Sequence, residues 1–189
     1  MYKNNLNFIT IGHTLSQTTS EGPGQRFAIW VQGCHFRCPK CCNKELWSFK
    51  KGKNVKADDL LKEILSTENI EGITIIGGEP FLQAKELAYL TKKVREKNLS
   101  VVIFTGYTLE ELKTKNKKEI NKLLENCDVL IDGRYEENKP SKYRWVGSGN
   151  QKVHFFTSRY NTKDFLGDNT VEIRFDGKNL FVNGWPSLF

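Results

Sequence analysis

"RFAIWVQGCHFRCPKCC", residues 26–42, decides how the rest of the chain is read. Phe27-Ala28-Ile29-Trp30-Val31 is an unbroken apolar run, preceded by Gly22-Pro23-Gly24 and closed by Gly33, as expected of a strand buried on both faces. It delivers a loop with four cysteines in nine positions, Cys34, Cys38, Cys41 and Cys42, beside His35 and several basic residues.

Three further runs repeat the arrangement. Ile73-Thr74-Ile75-Ile76 is closed by Gly77-Gly78-Glu79-Pro80, Val101-Val102-Ile103-Phe104 by Thr105-Gly106-Tyr107-Thr108, and Val129-Leu130-Ile131 by Asp132-Gly133-Arg134. Between them lie helix patterns: Leu60, Leu61, Ile64 and Leu65 share one face, as do Ala84, Leu87, Ala88 and Val94. Thr108 and Glu111 have capping-box spacing. Strands alternating with helices predict an α/β fold with a mainly parallel sheet and right-handed crossovers. In such sheets ligands bind beyond the carboxyl ends of the strands, where these four loops would gather.

After Gly147-Ser148-Gly149-Asn150, read as a turn, the alternation changes. Val171–Phe175 and Leu180–Val182, joined by residues 176–179, predict an antiparallel hairpin added to the sheet edge. The expected organisation is a core over 1–153 and a C-terminal extension over 154–189.

The 189-residue chain is the size of one compact unit. No apolar run approaches the roughly 20 residues that cross a bilayer, and the first residues lack a signal-peptide core, so a soluble cytoplasmic protein is expected. The formal charge is +7, with lysines concentrated over 50–56 and 113–118. Such runs are read as solvated faces, and nucleic acid is not expected as a partner. Five cysteines, four of them adjacent, favour metal or redox chemistry over disulfides.

Cys34, Cys38 and Cys41 follow C-x3-C-x2-C, a spacing that lets three thiolates meet a cubane cluster and leaves one iron without a protein ligand. Zinc, with Cys42 or His35 as fourth ligand, is the alternative. Cys42 is expected to point away from Cys41, Cys127 to be a small buried hydrophobe and His35 an ordinary loop histidine. H-E-x-x-H, G-x-S-x-G and Walker motifs are absent.

"CHFRCPKC" (34–41) resembles the cluster motif of the radical S-adenosylmethionine (SAM) enzymes, and its setting is similar to the glycyl-radical-enzyme activases, most of all the branch that activates anaerobic ribonucleotide reductases. The likeness extends to Gly22-Pro23-Gly24-Gln25-Arg26, Asn43 and Trp47, "GGEP", "TGYTLEEL", "LIDGRY" and "WVGSGNQ" in the same order, over roughly residues 20–153. It implies a partial (β/α) barrel of the radical SAM type with a hairpin extension. It also implies a [4Fe–4S] cluster on Cys34, Cys38 and Cys41, and SAM bound by Gly77, Gly78, Glu79 and Thr105 with Gly106, and by Asp132 and Arg134. By resemblance Glu79 compensates the SAM ammonium, Thr105 and Gly106 meet the ribose side, and Asp132 and Arg134 lie near the SAM carboxylate. A surface ion pair is the plainer reading of those last two.

The implied activity is that of an oxidoreductase. Reductive cleavage of SAM gives a 5′-deoxyadenosyl radical that abstracts hydrogen from a partner protein, a glycine of a ribonucleotide-reductase-like enzyme. Flavodoxin or ferredoxin would be the electron donor. Alternatives are radical modification of another peptide or small molecule, and a non-enzymatic iron–sulfur or zinc protein that binds nucleic acid. The chain departs from the family at Lys40, where many members carry an aromatic residue near the adenine, and at Cys42, where activases carry His or Tyr. Phe181-Val182-Asn183-Gly184-Trp185 faintly echoes a glycyl-radical sequence, although a hairpin-end glycine is the simpler reading.

Overall fold

The computed structural model describes residues 7–175, 177–178 and 180–184. The expected parallel core is present: β2 (Arg26–Val31), β4 (Gly72–Gly77), β5 (Ser100–Thr105) and β6 (Val129–Asp132) lie side by side in chain order and pair in parallel. Around them a seven-stranded sheet has the order β3-β1-β2-β4-β5-β6-β7, with β1 (Phe8–Thr18), β3 (Lys53–Lys56) and β7 (Lys152–Phe155) joined antiparallel. The lysine run at 50–56 thus becomes an edge strand with its lysines exposed, a composition that discourages edge-to-edge pairing.

The helices are α1 (Ala57–Ser66), α2 (Ala84–Arg95), α3 (Leu109–Lys115) and α4 (Lys118–Glu125). Their apolar faces share one core with Phe27, Ile29, Val31, Ile73, Ile75, Val101, Ile103 and Leu130 of the sheet. The alternate residues turn to the other face: Ala28 and Trp30 meet Leu46, while Val102, Val129 and Ile131 meet Trp145 and Phe165. Every residue of β2 is buried, which explains its unbroken apolar sequence. The Thr108 capping box is formed: Glu111 N donates to Thr108 Oγ1 at 3.1 Å and Thr108 N to Glu111 Oε2 at 2.8 Å.

The C-terminal hairpin forms from β8 (Val171–Phe175) and β9 (Leu180–Gly184). It is a separate two-stranded sheet rather than the expected edge addition. The edge position belongs to β7, which crosses the expected boundary at 153/154 and pairs with β6 through main-chain bonds that the hairpin strands do not reach. Asp176 and Asn179 of the hairpin turn, Trp185, and the first six residues lie outside the described residues. No helix among the described residues is long and apolar enough to cross a membrane.

Arg26 anchors the amino-terminal end of the parallel strands. Fully buried, it donates to Ser100 Oγ at 2.7 Å, Tyr160 Oη at 3.1 Å, Thr74 Oγ1 at 3.2 Å and the carbonyl oxygen of Ile73. It therefore joins β2, β4, β5 and the chain beyond residue 154 at one point. Arg26→Met leaves those acceptors unsatisfied, and a loss of about 3 kcal/mol is expected, read as a lower urea midpoint. An unchanged midpoint would exclude the anchoring role.

Candidate functional site

Beyond the carboxyl ends of β2, β4, β5 and β6 lies a cavity of about 330 Å³. Cys34, Cys38, Cys41, Gly77, Gly78, Glu79, Thr105 and Gly106 all line it. Residues some 70 positions apart in the sequence thus meet at the place where parallel-sheet topology puts a ligand.

The cysteine loop is held at both ends. Gly33 N donates to the Leu46 carbonyl at 2.8 Å and Cys34 N to that of Trp47 at 3.2 Å, while Gln32 Nε2 donates to the Glu45 and Ser48 carbonyls. Within it Cys41 N donates to the Cys38 carbonyl at 3.2 Å. Arg37 and Lys40, the residues immediately before Cys38 and Cys41, have φ of +50° and +58°. Left-handed backbone costs a non-glycine residue about 1–2 kcal/mol, and such strain gathers at functional sites. The two reversals curl the loop so that its thiols line one wall. Among the described residues no three His, Cys, Asp or Glu side chains meet closely enough to hold a single metal ion.

Burial pushes the Cys34 and Cys38 thiols up, whereas hydrogen bonds from the Cys42 thiol, which turns toward Cys41 rather than away from it as expected, and from the Asn43 amide hold Cys41 down to about 6. The Asn43 N to Cys41 Sγ distance is 3.4 Å. Trp47 Nε1, in the same wall, is buried without a hydrogen-bond partner, yet near enough to help lower Cys41. A sulfide-bearing group on the three thiolates would supply an acceptor for that indole, so the residues fit an iron–sulfur cluster. His35 is exposed, its ring tilted against that of Phe36 with centroids 4.2 Å apart. Cys127 is buried and donates to the Val129 carbonyl at 3.1 Å, as expected of a core thiol.

Glu79 is 1% exposed. It accepts from Phe81 N at 2.9 Å and Thr105 Oγ1 at 2.8 Å on Oε1, and from Gly106 N at 2.8 Å on Oε2. Desolvation nonetheless pushes it up to about 7. A carboxylate offers about four acceptor positions, so one is left. The Gly77-Gly78 pair has a second task besides lining the cavity. A Cβ on Gly77, at φ +104°, would lie 2.9 Å from Trp30 Cα and Val31 N, and one on Gly78 would lie 2.5 Å from the Gly33 carbonyl oxygen. The pair lets Gly78 N reach the Val31 carbonyl at 2.7 Å and Glu79 N that of Gly33 at 2.8 Å. Glu79 is thereby tied to the root of the cysteine loop.

Asp132 and Arg134 stand apart from this group, and neither lines the cavity, although Gly133 between them does. Asp132 is buried and accepts from Leu109 N at 2.6 Å and Lys152 N at 3.3 Å, with His154 Nε2 at 2.9 Å. Arg134 is half-exposed, pairs with Glu111 at 3.1 Å and stands 4.5 Å over the Phe36 ring. The plainer reading of Arg134 as a surface ion-pair residue thus describes its placement, with Glu111 rather than Asp132 as its partner.

The cavity also contains residues that no sequence pattern marks. His13 stacks on Trp30 at 4.3 Å between centroids, and both line it. Glu21 is 8% exposed and pushed up to about 7 by burial. Val182, Asn183 and Gly184 reach it from β9. The alternation of β2 gives a signal for Trp30, but Glu21 and the hairpin tip enter only through tertiary docking.

The sequence profile of the 4Fe-4S single cluster domain family matches residues 20–154. The chain belongs to this family. It is also similar to proteins named anaerobic ribonucleoside-triphosphate reductase-activating protein. The likeness to that of Enterobacteria phage T4 is 34% identity over 139 residues, covering 70% of this chain and 85% of the relative. For Pasteurella multocida it is 36% over 148 residues, 72% of this chain and 90% of the relative, and for Escherichia coli K12 29% over 142 residues, 70% and 90%. The family match contains the three thiols, Glu79 and the strands that carry them, and it ends before the hairpin. Limited alkylation of the apoprotein followed by mass spectrometry should label Cys38, Cys41 and Cys42 in the native state and Cys127 only after denaturation. Early labelling of Cys127 would contradict its burial.

Proposed function

We propose that this protein is a radical SAM activating enzyme that binds a [4Fe–4S] cluster through Cys34, Cys38 and Cys41 and acts on a glycine of a partner enzyme of the anaerobic ribonucleotide reductase class. The observation that carries the reading is the convergence of the three thiols with Gly77-Gly78-Glu79 and Thr105-Gly106 on one cavity. Its support from outside the chain is the likeness to proteins named for activating that reductase. In this reading the sheet is the partial barrel of the radical SAM type, residues 1–153 carry the chemistry, and a cytoplasmic low-potential flavodoxin or ferredoxin is the reductant.

Cys34, Cys38 and Cys41 would hold the cluster, which when bound would supply the electron for reductive cleavage of SAM and so for removal of hydrogen from the partner. The chain's own part is positional and electrostatic. Three cysteines leave one iron of a cubane free for a non-protein ligand. Glu79, its carboxylate oriented by three donors, has one acceptor position left for an ammonium. Thr105 and Gly106, which donate to Glu79, carry that preorganisation to the next strand, where the ribose side is expected. Trp30, buried in the cavity wall, and His13 stacked on it present flat surfaces there. No protein acid or base is required for hydrogen-atom abstraction. Asp132 and Arg134 act in this reading through the α3 start and Phe36, which border the site.

Replacing Cys34, Cys38 or Cys41 singly by Ala should abolish reconstitution of a four-iron cluster, measured by iron and sulfide content, while Cys42→Ala keeps it. Glu79 is neutral below about pH 7, so binding an ammonium there must release a proton. SAM affinity should rise roughly tenfold per pH unit below pH 7 and level off above, and Glu79→Gln should bind weakly with no such dependence. Calorimetry in buffers of different ionisation enthalpy reads both. The activity itself is tested by incubating the reconstituted protein anaerobically with SAM, reductant and the anaerobic reductase of the same organism. A glycyl doublet in the electron paramagnetic resonance spectrum is expected, and deoxyadenosine formed without a partner radical would redirect the search to another substrate.

A further inference from the structure

Trp47 lines the cavity, and its buried Nε1 has no hydrogen-bond partner. A buried donor without an acceptor is costly to keep, and this one is carried on a firmly fastened frame. Trp47 closes the 3-10 turn Lys44–Trp47, which opens with Leu46 N donating to the Asn43 carbonyl at 3.1 Å. Leu46 is buried against Ala28 and Trp30, and its carbonyl accepts from Gly33 N at 2.8 Å. The Trp47 carbonyl accepts from Cys34 N at 3.2 Å. The indole therefore shares its support with the thiols, and it lies near enough to act on the Cys41 sulfur.

The donors around the three sulfurs differ in kind. Main-chain amides of Phe36 and Arg37 approach Cys34, and that of Tyr135 approaches Cys38. Cys41 has a main-chain donor too, Asn43 N at 3.4 Å, but in addition two side chains, the Cys42 thiol and the Trp47 indole. Main-chain donors come with the shape of the loop, whereas a side-chain donor depends on the residue type at one position. Of the two at Cys41, the thiol is a weak donor and the indole N–H a full one. Hydrogen bonds to the sulfurs are among the factors that set the reduction potential of an iron–sulfur cluster. A reduced cluster carries one more negative charge, so an N–H aimed at its sulfur stabilises it more than the oxidised form.

We propose that Trp47 is a positioning residue for electron uptake: in the cluster-loaded protein its Nε1–H donates to sulfur at the Cys41 corner and makes the cluster easier to reduce. The proposal rests on the reading that Cys34, Cys38 and Cys41 hold a [4Fe–4S] cluster, and adds which side chain sets its potential. In the step concerned the low-potential protein donor loses one electron and the cluster gains it; no proton moves and no bond forms or breaks. The indole thereby favours loading of the electron from the donor and leaves less drive for passing it on.

The test uses the full-length chain reconstituted anaerobically, without SAM, in a redox titration followed by the electron paramagnetic resonance signal of the reduced cluster. Trp47→Phe keeps an aromatic ring and loses the N–H. Trp47→His loses bulk but keeps an N–H, its Nε2 occupying the ring position of the indole Nε1. The Trp47→Phe protein should be at least tenfold harder to reduce, a midpoint more negative by about 59 mV or more. The Trp47→His protein should lie closer to the unaltered chain than to Trp47→Phe. An unchanged or more positive midpoint in Trp47→Phe, or an equal shift in both variants, would overturn the proposal. So would a Trp47→Phe protein that does not fold by circular dichroism or takes up no four-iron cluster, since Trp47 would then be a packing residue. Iron and sulfide content separates the two readings. An unaltered chain that binds no four-iron cluster removes the proposed function, whereas a loaded cluster with no shift removes the role of Trp47 alone.

Discussion

The parallel pairing of β2 with β4, carried one step past the strands, is the constraint on which the site depends. Val31 and Gly33 carbonyls accept from Gly78 and Glu79 amides, at 2.7 and 2.8 Å. That continuation needs backbone to lie against backbone, and side chains at 77 and 78 would prevent it. It fastens the acidic loop to the first residue of the cysteine loop, so the thiols and the buried carboxylate keep their relation whatever the outer loops do. Burying β2 on both faces makes this attachment rigid, because it cannot shift without disturbing two cores at once.

Strain and burial are then distributed unevenly around the cavity. The cysteine loop holds two left-handed residues and ends beside an indole N–H that lacks an acceptor. Glu79 is the opposite case, fully supported by donors and yet pushed toward neutrality by its burial. One stretch of the cavity lining thus carries three thiols and an indole N–H, and another carries a buried carboxylate. The hairpin is held to the body by polar bonds, and its Ile173, Phe175 and Leu180 face solvent.

Several positions acquire roles that their neighbours in sequence do not announce. Asp132 closes β6 and reads as a ligand at a strand end, but its side chain turns to the start of α3 and to His154. Arg26, in a segment resembling a family signature, is an interior fastener at the opposite end of the strands from the cavity. The causes differ: Asp132 shares the helix-side face of Leu130, two residues earlier, and Arg26 is the first residue of β2, a strand's length from the loops.

The four buried strands, the helices on one face, the capping box at Thr108 and the meeting of the four loops were legible in the sequence, because continuous apolar runs and 3.6-residue periodicity follow directly from burial. Spacing singled out the three cysteines and a resemblance of Gly77-Gly78-Glu79-Pro80 to a family motif singled out Glu79, and the fold brings all four to one cavity. The antiparallel strands β1, β3 and β7 were not, since each is partly solvated and its threonines, histidines and lysines break the apolar pattern. Nor was the entry of Glu21, His13 and Gly184 into the cavity, or the hairpin's separation from the main sheet. These depend on contacts between segments up to about 160 residues apart, and local sequence records what a segment buries, not which distant surface it is buried against.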